Sequence, residues 1–85
     1  MAPGSTPATY TNTIGGNEYT ITALTTPKFI NYVDYNYVIV DGDDKYYGQN
    51  TTNGTVFYKY DSANDVLLTG TGNELALNGN ATPTP

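Results

Sequence analysis

Phe29-Ile30-Asn31-Tyr32-Val33-Asp34-Tyr35-Asn36-Tyr37-Val38-Ile39-Val40 is the most apolar run of the chain and contains neither Gly nor Pro. Tyr35, Tyr37 and Ile39 fall on one side of it, and Asn36, Val38 and Val40 on the other. This is the two-residue period of a strand, and no helical 3.6-residue pattern competes with it. β-Branched and aromatic residues dominate, as they do on a pleated, half-buried surface. The run is long for one strand, where about 3–10 residues is usual, so a bend or tight turn is expected near Asp34. Phe29–Val33 then leads into a central strand at Tyr35–Asp41.

The same alternation extends outward in both directions. Upstream, Tyr10–Ile14, the turn Gly15-Gly16-Asn17 and Glu18–Leu24 read as a hairpin, because Gly-Gly-Asn supplies the positive φ a tight turn needs. Thr25-Thr26-Pro27 breaks the pairing. Downstream, Asp41-Gly42-Asp43-Asp44 is a turn and Gln49–Gly54 a loop, followed by a strand at Thr55–Tyr60. Asp61–Asp65 turns the chain into Val66–Thr69, and Gly70-Thr71-Gly72-Asn73 is expected to close a last hairpin onto Glu74–Leu77. The turn sequences Gly16-Asn17-Glu18 and Gly72-Asn73-Glu74 echo each other and read as one hairpin solution reached twice. The fold class is all-β: a small antiparallel β-sandwich or open barrel of six to seven short strands with extended N- and C-terminal arms. Tyr19, Ile21, Val38, Val40, Val56, Leu68, Leu75 and Leu77 form the expected core. Of Tyr35, Tyr37 and Ile39, part is expected to be exposed in an isolated subunit and covered in an assembly.

Eighty-five residues suit one domain. Residues 1–9 read as an extended N-terminal arm, 10–78 as the β domain and 79–85 as a Thr/Pro tail. Both ends have linker composition, with Pro3 and Pro7 disfavouring helix in the first. The start of the sequence lacks the basic and apolar regions of a secretory signal, so a chain made in the cytosol is expected if Met1 is the native start, and a mature extracellular module if it is not. Only 38% of residues are in the hydrophobic class and no Cys is present, so association is expected to supplement a thin core.

Charge and composition narrow the function classes. Three Lys, no Arg and no His against eight carboxylates give a net charge of −5. Clustered cations are absent, which argues against nucleic-acid and membrane-surface partners. Nothing approaches the roughly 18 uninterrupted apolar residues of a membrane span. Without His or Cys the chain lacks the commonest general base, metal ligand and covalent nucleophile, and it is read as not an enzyme. Asp41, Asp43 and Asp44 are the one candidate cation site, of the carboxylate type that Ca²⁺ takes. Their spacing fails the EF-hand pattern, and Asp-Gly is itself a hairpin signal, so a plain turn with no cofactor is the preferred reading.

The nine tyrosines carry more information than the charges. Tyr is enriched at protein interfaces, because it buries much area with little loss of entropy. Tyr35, Tyr37, Tyr46 and Tyr47, with Pro3, Pro7, Thr9 and Tyr10 of the arm, are the expected interface residues. Thr9-Tyr10-Thr11 is expected to pair with a strand edge of a neighbouring chain and Tyr10 to fill a pocket there. Size, acidity, a Cys-free Thr/Asn/Tyr composition and a Thr/Pro arm before the first strand give a resemblance to small β-rich decoration (cement) proteins of phage capsids. That resemblance implies a structural virion protein on the capsid outer surface. Its partners would be the major capsid protein or neighbouring copies of itself in a homo-oligomer such as a trimer. One alternative is a subunit or module of an extracellular β filament, adhesin or surface layer, located at the cell surface and joined by donated strands. Another is a carbohydrate-binding module that stacks sugars on exposed tyrosine rows.

Overall fold

A computed structural model describes residues 7–85, in which eight β-strands and no helix are found. They are β1 (Thr9–Ile14), β2 (Asn17–Ile30), β3 (Val33–Asp41), β4 (Asp44–Gly48), β5 (Val56–Asp61), β6 (Val66–Leu68), β7 (Glu74–Ala76) and β8 (Thr82–Pro83). All pair antiparallel in one open sheet of order β6-β5-β4-β3-β2-β1-β8, with β7 also on β5. The first six form a meander of hairpins, each closed by the turn chemistry its sequence supplies. Gly15 and Gly16 both have positive φ, which is the type I′ geometry that follows the twist of paired strands. Gly42 has positive φ in the two-residue turn between Asp41 and Asp44.

The turn within the long apolar run lies earlier than the sequence suggests. Ile30 pairs with Val33, so Asn31 and Tyr32 form the loop, with φ of 51° and 64°. The pairing of β2 with β3 does break where Thr25, Thr26 and Pro27 stand, between Ala23 and Lys28, and then resumes. Pro27 has no amide to give a ladder, so an irregularity is where it fits. Across this bulge the side chains change sides. Tyr37 and Ile39 pack in one cluster with Ile21, Tyr46, Phe57, Leu77 and Ala81. Tyr35, two residues from Tyr37, packs instead with Ile30, Val38 and Tyr47.

The sheet is therefore covered on both faces, by two devices. The hairpin Lys28–Tyr35 covers one face, inserting Ile30 against Val38, Tyr47, Tyr60 and Leu67. The other face is crossed by Leu77–Ala81, which leads from β7 at one end of the sheet to β8 at the other. Phe57, Ile21 and Ile39 at its centre are fully buried. Phe57 lies so close over Gly48 that a Cβ there would meet its ring at 2.6 Å, so only Gly fits.

Of the expected core, Ile21, Val38 and Leu77 are buried, while Tyr19, Val56, Leu68 and Leu75 are half-buried. Val40 is 58% exposed. It shares the face of Val38 but lies past the cluster that the folded-over hairpin covers, opposite exposed Lys45. The last hairpin also differs from expectation. β6 and β7 do not pair with each other; both lie on the same edge of β5, as one strand interrupted by residues 69–73. Glu74 holds that excursion, its Oε2 accepting from Gly70 N at 2.8 Å. The Gly-Asn-Glu echo thus serves a hairpin once and a strand interruption once.

Segment 79–85, a tail by composition, is tied to the sheet. Asn12 is buried, donates from Nδ2 to Asn78 O at 3.1 Å and accepts at Oδ1 from Asn78 N at 2.9 Å. Asn53 accepts from Gly79 N and donates its own amide to Asn80 Oδ1. Ala81 N donates to Thr51 O, and Thr84 N to Thr9 O. β8 occupies the outer edge of β1, with Tyr10 opposite Pro83 and Thr11 opposite Thr82.

Candidate functional site

Among the described residues the exposed large apolar side chains are few: Phe29 at 60%, Tyr32 at 89%, Val40 at 58% and Val66 at 43%. Three of the four belong to the hairpin tip and the turn region beside it. Phe29 stands on the outward side of β2, because Lys28 and Ile30 on either side of it point to the covered face. It is the cross-strand partner of Asp34, so an exposed carboxylate lies beside its ring. Tyr32 meets Phe29 edge to face, with ring centroids 6.3 Å apart.

The backbone beneath Tyr32 is in the left-handed region, which Gly and Asn enter readily and bulky residues do not. Asn31 suits its position. Tyr32 does not, and it makes no compensating burial.

The root of the hairpin is clamped to β5 and to the β5–β6 turn. Lys28 Nζ lies 4.7 Å over the Tyr60 ring, and Tyr60 OH donates to Asp65 Oδ1 at 2.6 Å. Lys28 Nζ and Asp65 Oδ1 are 4.0 Å apart, a loose and partly solvated ion pair worth little by itself. The hydrogen bond to Asp65, then burial, raises the Tyr60 hydroxyl above its ordinary value, and the Tyr60 contact raises Lys28. Asp65 also has positive φ, at 52°, a residue type that tolerates it.

Between the hairpin tip and β5–β6 lies an open groove of ≈ 660 Å³. Asn31, Tyr35, Tyr58, Asp65 and Thr69 give it polar groups, and Ile30, Val66 and Leu67 give it an apolar floor and wall. Burial raises the Tyr35 hydroxyl, and the neighbouring Tyr58 adds to this, so Tyr35 keeps its proton at neutral pH.

The interface residues expected from sequence are scattered. Pro3 lies outside the described residues, and Pro7 is exposed ahead of β1. Thr9 begins β1 and bonds to Thr84. Tyr10 is half-buried against Tyr37, ring centroids 6.0 Å apart, and so fills a pocket of its own domain. Tyr46 and Tyr47 are only 8% exposed each, and burial raises the Tyr46 hydroxyl. Tyr35 and Tyr37 are half-buried on separate clusters. Asp41 and Asp44 face each other across their turn, with Asp44 3.6 Å from Lys59. Among the described residues no three acidic groups converge as a metal site would require.

Phe29 and Tyr32 belong to the aromatic-rich window of the sequence but were not among the expected interface residues, and the groove was not foreseen. The signal for the first two was Asn31: an Asn between apolar neighbours, with one residue more before Val33, is a two-residue hairpin turn. The groove has no local signal, since it joins residues of two hairpins. No protein-family model, curated protein or solved structure matches the chain.

Proposed function

We propose that this chain is a structural docking protein, a decoration subunit on the outer surface of a phage capsid that braces neighbouring capsid subunits through protein contacts. The observation that carries the docking reading is Tyr32. A bulky residue in the left-handed region destabilises by about 1–2 kcal/mol, and this one gives the subunit little in return because it is almost wholly exposed. Strain of this kind is sustained where function requires it. Tyr32 with Phe29 forms a protruding aromatic anchor, the residue type that dominates binding energy at protein interfaces. Asp34 beside it favours a receiving pocket rimmed by a cation.

The capsid setting rests on the resemblance in size, acidity and composition. Attachment by donated strands, the alternative filament architecture, is less compatible with the sheet edges. One edge is the two-residue β8 with Pro83, and the other is broken between β6 and β7. Both are features that discourage edge pairing.

The test uses particles whose gene for this chain has been deleted. They are expected to assemble but to lose their contents at lower temperature. Purified chain should bind them at fixed stoichiometry and restore resistance, while Tyr32→Gly chain should not. Particles that never contain the chain, or that are equally heat-resistant without it, would remove the capsid reading.

A further inference from the structure

We infer that the groove between the hairpin tip and β5–β6 is a binding site for a neutral oligosaccharide, separate from the aromatic tip and independent of what the tip docks to. The first argument is the character of its lining. A pyranose presents an apolar C–H face and a rim of hydroxyls that both donate and accept. The groove offers the matching set: the Tyr35 and Tyr58 phenols, the Asn31 amide, the Thr69 hydroxyl and the Asp65 carboxylate around an Ile30, Val66 and Leu67 surface. Pockets that mix a few placed polar groups with apolar walls at about 300–1,000 Å³ are of ligand-binding size.

The second argument is that these groups are uncommitted. Among the described residues, the side chains of Asn31, Tyr35, Tyr58 and Thr69 take part in no intramolecular hydrogen bond, whereas the neighbouring Tyr60, Asp61 and Asn73 do. Asp65 uses Oδ1 for Tyr60 and Lys28, and Oδ2 is left for a ligand. Four unpaired polar side chains and a half-used carboxylate therefore meet in one concave place.

The third argument is charge. Among the described residues no cation lines the groove, and Lys28, beside the lining residue Asp65, is held over the Tyr60 ring. On a chain of net charge −5, a phosphate or a uronic acid would be repelled there. A neutral sugar meets no such field. A peptide is the competing occupant, since β6 borders the groove, but β6 is three residues long and offers a short ladder.

The test is a ¹⁵N-NMR titration of the full chain with neutral hexasaccharides (maltohexaose, cellohexaose, chitohexaose, mannohexaose, xylohexaose). Heparin hexasaccharide and an extended Thr/Val peptide serve as the comparison ligands. At least one neutral sugar is expected to shift the amides of Asn31, Tyr58, Asp65 and Thr69 with a Kd of about 1 mM or tighter. Asn31→Gly, which keeps the turn geometry, and Tyr58→Phe, which keeps the ring, should each weaken it about fivefold or more while the remaining spectrum stays folded. Val40→Thr, at an exposed position that does not line the groove, should leave it unchanged. The inference is overturned if no neutral sugar shifts the groove, if heparin or the peptide does so more strongly, or if the two groove variants bind as well as the parent.

Discussion

The Lys28–Tyr35 hairpin and the Leu77–Thr84 strap reverse what their compositions suggest. The hairpin belongs to the most apolar run of the chain, yet its tip holds Phe29 and Tyr32 out in solvent. The strap is Asn, Gly, Thr and Pro with one Leu and one Ala, and it is fastened from end to end. Composition measures how much a segment gains by leaving water, but backbone partners decide whether a polar segment can be held. The strap has Asn12 and Asn53, two side chains whose amides each satisfy a backbone group in passing. The tip has only its own two-residue turn. What fastens the ends of the sheet is thus polar and nearly invisible in a hydropathy pattern, while two aromatic side chains of the most apolar run, Phe29 and Tyr32, stand in solvent and are available to a partner.

The sharpest way to break this comparison is to end the chain at Leu77. That removes the Asn78 bonds to Asn12, the bonds of Gly79 and Asn80 to Asn53, buried Ala81 and the β8 cover of β1. At roughly 1 kcal/mol for each lost bond and more for buried groups left unpaired, the loss reaches about 4–6 kcal/mol, most of the stability of a small domain. Loss of a cooperative urea transition is the expected result. A truncated chain that unfolds like the parent would show the strap to be an ornament on the sheet.

Asn12→Ala asks the same question of one residue. Its two bonds to Asn78 are replaced by nothing, and the Asn78 amide and carbonyl lose their partner. The expected cost is about 2–3 kcal/mol by equilibrium unfolding. Asn12→Asp should be harmful too, because a carboxylate cannot donate to Asn78 O.

Tyr32→Gly acts in the opposite direction. Relief of the left-handed strain favours the variant, and the greater freedom of Gly in the unfolded chain offsets part of it. A net stabilisation of about 0.5–1 kcal/mol is expected, seen as a higher midpoint in urea. A destabilised Tyr32→Gly protein would mean that the ring contact with Phe29 matters to the fold, and the argument for an external partner would lose its basis.

How much of this was legible in the sequence follows from the range of each signal. Period-two alternation is local, so the strands of the meander and the Gly15-Gly16 and Gly42 turns can be read directly. The break at Thr25-Thr26-Pro27 can be read too, but the register in which pairing resumes past Asn36 cannot, because it depends on which partner residues meet, and it is what places Tyr35 and Tyr37 in different clusters. The burial of Tyr46 and Tyr47 was missed for a related reason. Each lies on a different face, and both faces are covered by segments distant in sequence. The pairing of β8 with β1 spans nearly the whole chain and has no local mark at all.

The smallest expected effect separates the two regions by pH. The strap, Leu77 to Thr84, contains no ionisable side chain, and Tyr46, packed in the Leu77 cluster, is raised by burial but has no hydrogen-bonded clamp among the described residues to lose. The hairpin root is held by Lys28 and Tyr60, both of which titrate above their ordinary values of 10.5 and 10.0. A folded-state value raised above the unfolded one means the contribution is complete below the unfolded value and is lost as pH rises through the folded one. From about pH 10 upward the unfolded chain therefore gives up these protons first, and the equilibrium moves away from the clamped hairpin. The clamp also fails in chemical terms, since a deprotonated Tyr60 cannot donate to Asp65 and a neutral Lys28 has no cation–π attraction. Methyl NMR followed from pH 8 to about 11.5 should show the Ile30 signal moving before that of Leu77. In Tyr60→Phe the early step should shrink, and what remains is the titration of Tyr35, which packs in the Ile30 cluster and is also raised by burial. Should Ile30 and Leu77 shift together in the parent, the hairpin and the strap would be one cooperative unit and the distinction drawn between them would not extend to their dynamics.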